Sequence, residues 1–343
     1  MHAPDPILTA SIFCNRRLDR VVHQGVAPAL ERLRAERPEA DWGVWWVRYA
    51  ANGDHLKARV HGPAERADDA RRVLEAAVEA LFASLPPADP EEARFRREGI
   101  PAIDPEDEAS EDYPDRSLLW TRYRRSHVSL GPKALLRDDA YAARITACLT
   151  GGAALVLEST SLDAEGRIPG AARQRAVLRA LFAGLRAAGF GAAERAEYLA
   201  YHRDWLVRFA AADEAGEDHV RNGFDRQVAR VEATVQQLAR TAAAHWGPSS
   251  APAGDATDAR WRGAIAELSD WSEVLRAQPS LDPYTERRAF PLVFKALHAV
   301  ANQAGLDLVN EAFLYHLVGR AARVAERAAE PEPEPEPAAE AYA

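Results

Sequence analysis

The chain has 343 residues, 47% of them hydrophobic, which is enough for one large domain or two modest ones with a sizeable core. Its formal net charge of −9 and pI near 5.7 argue against nucleic acid as a partner. There is no apolar run of about 18 residues and no signal peptide in the opening MHAPDPILTASIF, which predicts a cytoplasmic protein without a membrane partner.

The residue types that hold metals and nucleotides do not form motifs here. Two cysteines, Cys14 and Cys148, are too few for a disulfide framework or a Cys-rich zinc site, and both lie in apolar runs where we expect buried thiols. The ten histidines lack metal-ligand spacing, and no glycine-rich phosphate loop occurs. We therefore expect no metal, nucleotide or other cofactor.

The first half of the chain predicts a small sheet with helices. An apolar run at 7–14 reads as a strand, and Asn15 is placed to cap a helix over about 16–37. Asn52-Gly53 between two alternating runs indicates a hairpin. The order β-α-β-β-α is a ferredoxin-like start. The remaining predicted elements are strands at about 43–49 and 55–61 and a helix at about 64–84.

The second half reads as helical. After a Pro- and acid-rich excursion at 86–117, residues 117–131 look extended and could add to the sheet. Helices are predicted at about 138–150, 171–188, 194–213, 217–246, 258–277, 286–304 and 307–328.

The fold class is therefore α+β, a small antiparallel ferredoxin-like sheet followed by a mainly helical half. We predict a single domain over 1–328, with a sheet-rich part at 1–135 and a helical part at 136–328. The Glu-Pro tail at 329–343 is expected to be disordered.

The hairpin suggests a cationic and aromatic sheet face. His55, Lys57, Arg59 and His61 alternate with apolar residues along one strand. On the other strand Trp46 and Arg48 share a face, and we expect them to join these cations. The face is either a solvated exterior or a surface that binds a carboxylate or a peptide backbone. Arg48 lies within an aromatic run and needs a partner if it is buried.

Two further segments carry polar clusters, and a third carries aromatic side chains. The arginines in Trp120–His127 either pair with the acidic block at 104–115 or orient an anionic substrate group. His298 and Asn302 lie one turn apart on a helix that ends near Gly305; His298 is either a surface side chain or a general acid or base in a cleft. Residues 197–209 carry Tyr201, His202, Asp204 and Trp205, and we expect this stripe to be core and interface.

Two segments resemble a known family. Trp46-Val47-Arg48-Tyr49 followed by His55-Leu56-Lys57-Ala58-Arg59 is similar to the F/W-x-R-Y … H-L-R-x-R segment of the C-terminal domain of lantibiotic dehydratases. His298, Asn302 and Gly305 match that domain's His-x-x-x-Asn-x-x-Gly segment. The resemblance covers roughly residues 5–325 and suggests a stand-alone member of the kind found in thiopeptide biosynthesis.

The family implies two chemistries on a ribosomally made precursor peptide with a leader. One eliminates glutamate from glutamylated Ser or Thr. The other is a formal [4+2] cycloaddition of two dehydroalanines, which forms a pyridine and releases the leader. The family's middle motif is replaced by RRSHVSLGPKALLRDDAYAARI, which favours cycloaddition. A non-catalytic peptide-binding subunit, working with other biosynthetic enzymes, is the third hypothesis.

The resemblance and the polar clusters together give the candidate site. Arg48 matches the family's first arginine and His298 its histidine. We expect the azole rings of a modified peptide to stack on tryptophans and its backbone to meet cations. The proton-transfer candidates are His298, Tyr123, Ser126 and His127. The candidate substrate-binding residues are Arg48, His55, Lys57, Arg59, Trp46, Trp120, Arg125 and Asn302.

Overall fold

Among the residues that the computed structural model describes, four antiparallel strands form the sheet of the first half. The strand order is β2-β3-β1-β4, with a helix after β1 and another after β3. This arrangement confirms the predicted ferredoxin-like sheet. The strands are β1 (Leu8–Phe13), β2 (Gly43–Tyr49), β3 (His55–His61) and β4 (Ser117–Trp120). The structure describes residues 5–49, 54–86, 114–121, 123, 138–211, 214–247, 255–270 and 290–329.

Helix α1 follows β1 and contains an irregular turn. It begins with Leu18–Arg20, widens into a π-helical turn at Val21–Val26 and continues as Ala27–Glu36. Pro28 has no N–H to donate to the preceding turn, which favours such a local rearrangement. The predicted Asn15 cap is wrong, because Arg17 precedes the helix and the main-chain N–H of Asn15 donates to Asp115 instead.

The register of the hairpin overturns the predicted cationic face. Trp46 pairs with Ala58 and Arg48 with Leu56, so both side chains lie on the apolar face of β3. His55, Arg59 and His61 point to the opposite face, where each is at most 2% exposed. A solvated exterior is therefore excluded for these three side chains. The Asn52-Gly53 turn lies outside the described residues.

The helical half follows the sheet. One predicted helix, 217–246, is two helices, because the helical run is interrupted at Val231. After a 3-10 turn at Ala64–Arg66, the helices are α2 (Ala67–Ser84), α3 (Asp139–Ser159), α4 (Gly170–Ala187), α5 (Ala192–Ala210), α6 (Glu214–Arg230), α7 (Glu232–Trp246), α8 (Ala256–Ser269), α9 (Phe290–Ala304) and α10 (Leu308–Ala329).

Helix α3 is long and apolar enough to cross a membrane by length and composition alone. Most of the apolar window is buried inside the fold, as in the core helix of a globular domain. A Cβ on Gly152 would come within 2.7 Å of Val300, so this glycine lets α9 approach α3 closely. The side chain of Gln303 donates to the Leu149 carbonyl at 3.0 Å across the same contact. A cytoplasmic location stays a prediction.

The chain divides into two compact units. The first comprises residues 1–195 and 254–311 and holds the sheet with α1–α4, α8 and α9. The second comprises residues 196–253 and 312–343 and contains α6, α7 and most of α5 and α10. The single-domain organisation over 1–328 stays a prediction, and residues 330–343 of the predicted tail lie outside the described residues. Both cysteines are buried free thiols, as predicted.

Candidate functional site

The end of α9 is shaped by Gly305. Its N–H donates to the Asn302 carbonyl and the Leu306 N–H to the Ala301 carbonyl, each at 2.9 Å, which is the Schellman arrangement. Gly305 has φ +75°, a conformation that disfavours any residue with a Cβ. The glycine of the sequence motif therefore ends the helix and leaves three terminal carbonyls for other donors.

Asn302 hydrogen-bonds α9 to β2, the strand at one edge of the sheet. Its side-chain oxygen accepts from the Arg48 N–H at 2.8 Å, and its amide nitrogen donates to the Arg48 carbonyl at 3.2 Å. This pair of bonds imitates a neighbouring strand alongside β2, which is an edge strand. Both ends of the Asn302 amide are thus used within the fold.

Arg48 has the partner that the sequence predicted it would need. Its Nη1 donates to Asp19 at 2.8 Å, and its Nε donates to the Gln303 carbonyl at 3.1 Å. Trp46 donates to the same carbonyl through Nε1 at 3.0 Å. Burial lowers the pKa of Arg48, and the Asp19 carboxylate opposes that shift. Arg48 therefore joins β2, α1 and the end of α9.

Arg173 completes this cluster and was not found from the sequence. It contacts Asp19 through Nη2, and its Nη1 donates to the Ala304 and Gly305 carbonyls at 2.6 and 3.0 Å. Asp19 also accepts from the Ile168 N–H at 2.8 Å. The negative end of the helix dipole helps to neutralise the second guanidinium. We call Arg48, Asp19 and Arg173 the Arg-Asp-Arg cluster.

His298 lies one turn before Asn302 on α9 and pairs with a buried carboxylate. Its Nδ1 is 2.8 Å from Oε2 of Glu311, whose side chain is only 1% exposed, whereas His298 is 37% exposed. Burial alone would lower the pKa of His298, but the charge and hydrogen bond of Glu311 raise it above its ordinary value. Because Glu311 accepts the Nδ1 proton, Nε2 of the neutral ring is left to exchange protons.

Lys295 and Phe294 flank His298 on the same helix. The Phe294 and His298 rings stack with centroids 5.7 Å apart. Lys295 lies one turn before His298 and is half-buried, and its burial lowers its pKa. Sequence reasoning missed Glu311 and Lys295. A usable signal for Glu311 was its position directly before the apolar run Ala312–Leu314, which the structure buries.

Two of the polar β3 side chains, His55 and Lys57, pack among aromatic rings on the opposite face. The His55 ring stacks between Phe13 and Tyr49, with centroid distances of 4.5 and 5.4 Å. The Lys57 ammonium lies 4.5 Å from the centre of the Tyr49 ring. The aromatic rings beside His55 and Lys57 therefore come from Phe13 on β1 and Tyr49 on β2, and not from the expected Trp46.

Arg59 lies on the same face and is 2% exposed. Its guanidinium lies 4.2 Å from the Trp45 ring and 5.8 Å from the Tyr123 ring. Within the part of the chain that the structure describes, Arg59 forms no ion pair. Its Nη1 also donates to the Lys57 carbonyl at a long 3.5 Å, and its buried Nε has no hydrogen-bond partner among the described residues. The guanidinium therefore retains capacity for an anionic or carbonyl group.

Comparison with known proteins decides the family. The family model described as "Lantibiotic biosynthesis dehydratase C-term" matches residues 8–322. The chain belongs to this family. Membership supports a role in the maturation of a ribosomally made peptide. No curated protein sequence matches the chain significantly.

Solved structures share the fold. "Pyridine synthase, TbtD, from thiomuracin biosynthesis" aligns with a TM-score of 0.61 and 20% identity, covering 94% of this chain and 99% of that one. "Crystal structure of TsrL" aligns with a TM-score of 0.53 and 15% identity, covering 95% and 99% of the two chains.

The two segments that carry the lantibiotic dehydratase resemblance meet in the structure. Arg48 and Asn302 bond to each other, and His298 lies one turn from their contact. The sheet nevertheless separates the predicted substrate-binding residues. Trp46, Arg48 and Trp120 lie on one face, and His55, Lys57 and Arg59 on the other. Arg125, Ser126 and His127 lie outside the described residues.

Proposed function

We propose that this chain is a pyridine synthase that joins two dehydroalanines of a modified precursor peptide in a formal [4+2] cycloaddition and releases the leader. Two findings support the proposal: membership of the lantibiotic dehydratase C-terminal family and a fold shared along its length with a pyridine synthase. The observation that carries it is the half-exposed His298 held by the buried Glu311.

The reaction needs proton transfer at an amide before any ring can form. One dehydroalanine must react as an iminol, so a proton leaves the amide nitrogen and another reaches the carbonyl oxygen. Protonated His298 donates from Nε2 to that oxygen, and neutral His298 accepts a proton at the same atom. The raised pKa increases the share of protonated His298 near neutral pH. The same group serves the later losses of water and of the leader amide.

The Arg-Asp-Arg cluster has a positioning role in this proposal. The hydrogen bonds between Arg48 and Asn302 hold α9 against β2. They thereby fix the position of His298, which lies one turn earlier on α9. Correct placement of reacting groups supplies up to roughly 7–11 kcal/mol of a barrier in well-oriented cases. Stacking of azole rings on Trp120 and proton transfer by Tyr123, Ser126 and His127 remain predictions.

The test is conversion of a peptide that already carries dehydroalanines and azoles. His298→Ala should slow formation of the macrocycle by about 10²–10⁴-fold, the usual contribution of a general acid or base. His219→Ala is the matched control, because His219 is an exposed histidine in the second unit. Mass spectrometry of the macrocycle and the released leader gives the rates. An unchanged rate in His298→Ala would remove His298 from the mechanism.

A second candidate, elimination of glutamate from glutamylated Ser or Thr, is favoured by Arg59. A buried guanidinium without an acidic partner among the described residues suits the carboxylate of a glutamyl group. Incubation with a glutamylated peptide tests this reaction through the mass loss of glutamate. Turnover of that peptide and not of the dehydroalanine peptide would replace the first proposal, and tight binding of both without turnover would support the peptide-binding subunit.

A further inference from the structure

The second unit carries a row of exposed arginines on α10. Arg320, Arg323 and Arg327 are exposed and follow i, i+3, i+7 spacing, which places them on one side of the helix. None of the three forms an ion pair or hydrogen bond with any residue that the structure describes. Arg203 on α5 lies close enough to act electrostatically on Arg323. We call Arg320, Arg323 and Arg327 the arginine row.

Ordinary helix electrostatics account for only one of these residues. Cations are favoured in the last turn, where Arg327 lies, but Arg320 and Arg323 lie farther from the helix end at Ala329. The whole chain has 52 acidic and 43 basic residues, so acids to pair with the row are abundant. Partial burial and the neighbouring guanidiniums of Arg320, Arg203 and Arg327 lower the pKa of Arg323, with Glu326 opposing them.

Repulsion of this kind is relieved when an anion binds. Like charges one turn apart destabilise a helix, and a sequence that breaks a local rule without compensation often marks a functional surface. We propose that the arginine row is a docking surface for a short acidic segment of a peptide partner. This interaction goes beyond the proposed catalytic function and does not depend on it.

Dimensions and charge favour a peptide over a longer polyanion. The row spans about 10 Å, since a helix rises about 1.5 Å per residue. An extended peptide advances about 3.3 Å per residue, so three to five residues with alternate carboxylates cover it. A nucleic acid would bring many further phosphates towards a chain of net charge −9, which repels them.

The experiment measures binding of a fluorescent synthetic peptide of alternating Glu and Ala residues to the full chain by anisotropy. The variant R320Q/R323Q/R327Q removes the three charges and keeps a polar, unbranched side chain at each position. The control R226Q/R230Q/R240Q removes the same charge from exposed arginines elsewhere in the second unit. We expect about tenfold weaker binding in the row variant and a change within about twofold in the control, with the affinity of the wild type falling as salt rises.

Several outcomes would overturn the proposal. Equal losses in both variants would show a general charge effect, and no measurable binding by the wild type would remove the surface altogether. Stronger, row-dependent binding of a single-stranded oligonucleotide of matched charge would assign the row to nucleic acid. Binding that appears only in a chain ending at Ala329 would assign the row to the chain's own Glu-Pro segment instead of a partner.

Discussion

His298 has an acid–base behaviour that is set by its neighbours. Burial and the Lys295 ammonium lower its pKa, whereas Glu311 raises it through charge and hydrogen bonding, and the net direction is upward. A histidine whose pKa is raised on folding adds stability below its ordinary value of 6.5, and this stability is lost as the pH rises through the folded value. Proton transfer and folding stability are therefore linked through one pair of side chains.

Replacing Glu311 with Gln should lower the pKa of His298, because it removes the negative charge that raises it and leaves the opposing effects of burial and Lys295. The basic limb of the pH–rate profile should move to lower pH. In the wild type, the free energy of unfolding should fall as the pH rises from 6.5 through the raised pKa of folded His298, and this fall should be absent in the variant. NMR titration of the His298 ring and urea unfolding across this range measure both effects. A variant with reduced rate but an unmoved His298 pKa would show that Glu311 acts only structurally.

Asp19 neutralises two buried guanidiniums and holds one main-chain N–H. The side chains of Asp19, Arg48 and Arg173 are 8%, 13% and 18% exposed, so water screens the cluster poorly. Asp19→Asn should destabilise the fold by about 3–5 kcal/mol, since it leaves buried charges without their counterion. Urea unfolding measures this loss. Glu36→Gln, which breaks an exposed pair with Arg32, is the control and should cost about 0–1 kcal/mol. Similar losses in the two variants would contradict the buried-charge argument.

At the scale of elements, the end of α9 joins sheet, helix and candidate site. The Schellman turn directs the chain away after Ala304, and the freed carbonyls accept from Trp46, Arg48 and Arg173. A Cβ on Gly305 would overlap the Arg173 guanidinium. The glycine therefore satisfies a backbone requirement and a packing requirement together.

Gly305→Ala should lower the free energy of unfolding by about 1–3 kcal/mol, because alanine is strained in the left-handed backbone conformation. Displacement of the Arg173 side chain should lower it further. Gly189→Ala separates the two terms, because Gly189 has φ +70° and nothing lies within 4 Å of a Cβ there. Gly263→Ala, in the open on α8, should instead stabilise by about 0.5–1 kcal/mol. Thermal unfolding of the three variants gives the comparison, and equal losses at Gly305 and Gly189 would contradict the packing term.

Elements were more predictable than the contacts between them. Strands β2 and β3 have the predicted bounds, because alternation and a hairpin signal are local features. The break at Val231 was missed, since no proline or glycine interrupts the pattern there. The assignment of Trp46 and Arg48 to the cationic face failed because register sets the face and a shift of one residue reverses it.

At the scale of the whole molecule, the candidate site combines residues that are remote in sequence. His298 and Asn302 could be singled out because their spacing is local. Asp19 and Arg173 could not, because their bonds span 29 and 154 residues and depend on how α1 and α4 pack. The sequence therefore predicted the polar side chains of α9, whereas the partners that fix the end of this helix became visible only in the structure.

The proposed reaction also makes a prediction for the entire protein. Cycloaddition followed by loss of water and an amide is redox-neutral, so it balances without an oxidant, a reductant or a nucleotide. Protein dialysed against a chelator and freed of nucleotides should convert the dehydroalanine peptide at the rate of untreated protein. Mass-spectrometric rates before and after dialysis measure this, with His298→Ala as the slowed reference. A loss of rate that a divalent cation restores would show that the reaction depends on more than proton transfer by His298 and its neighbours.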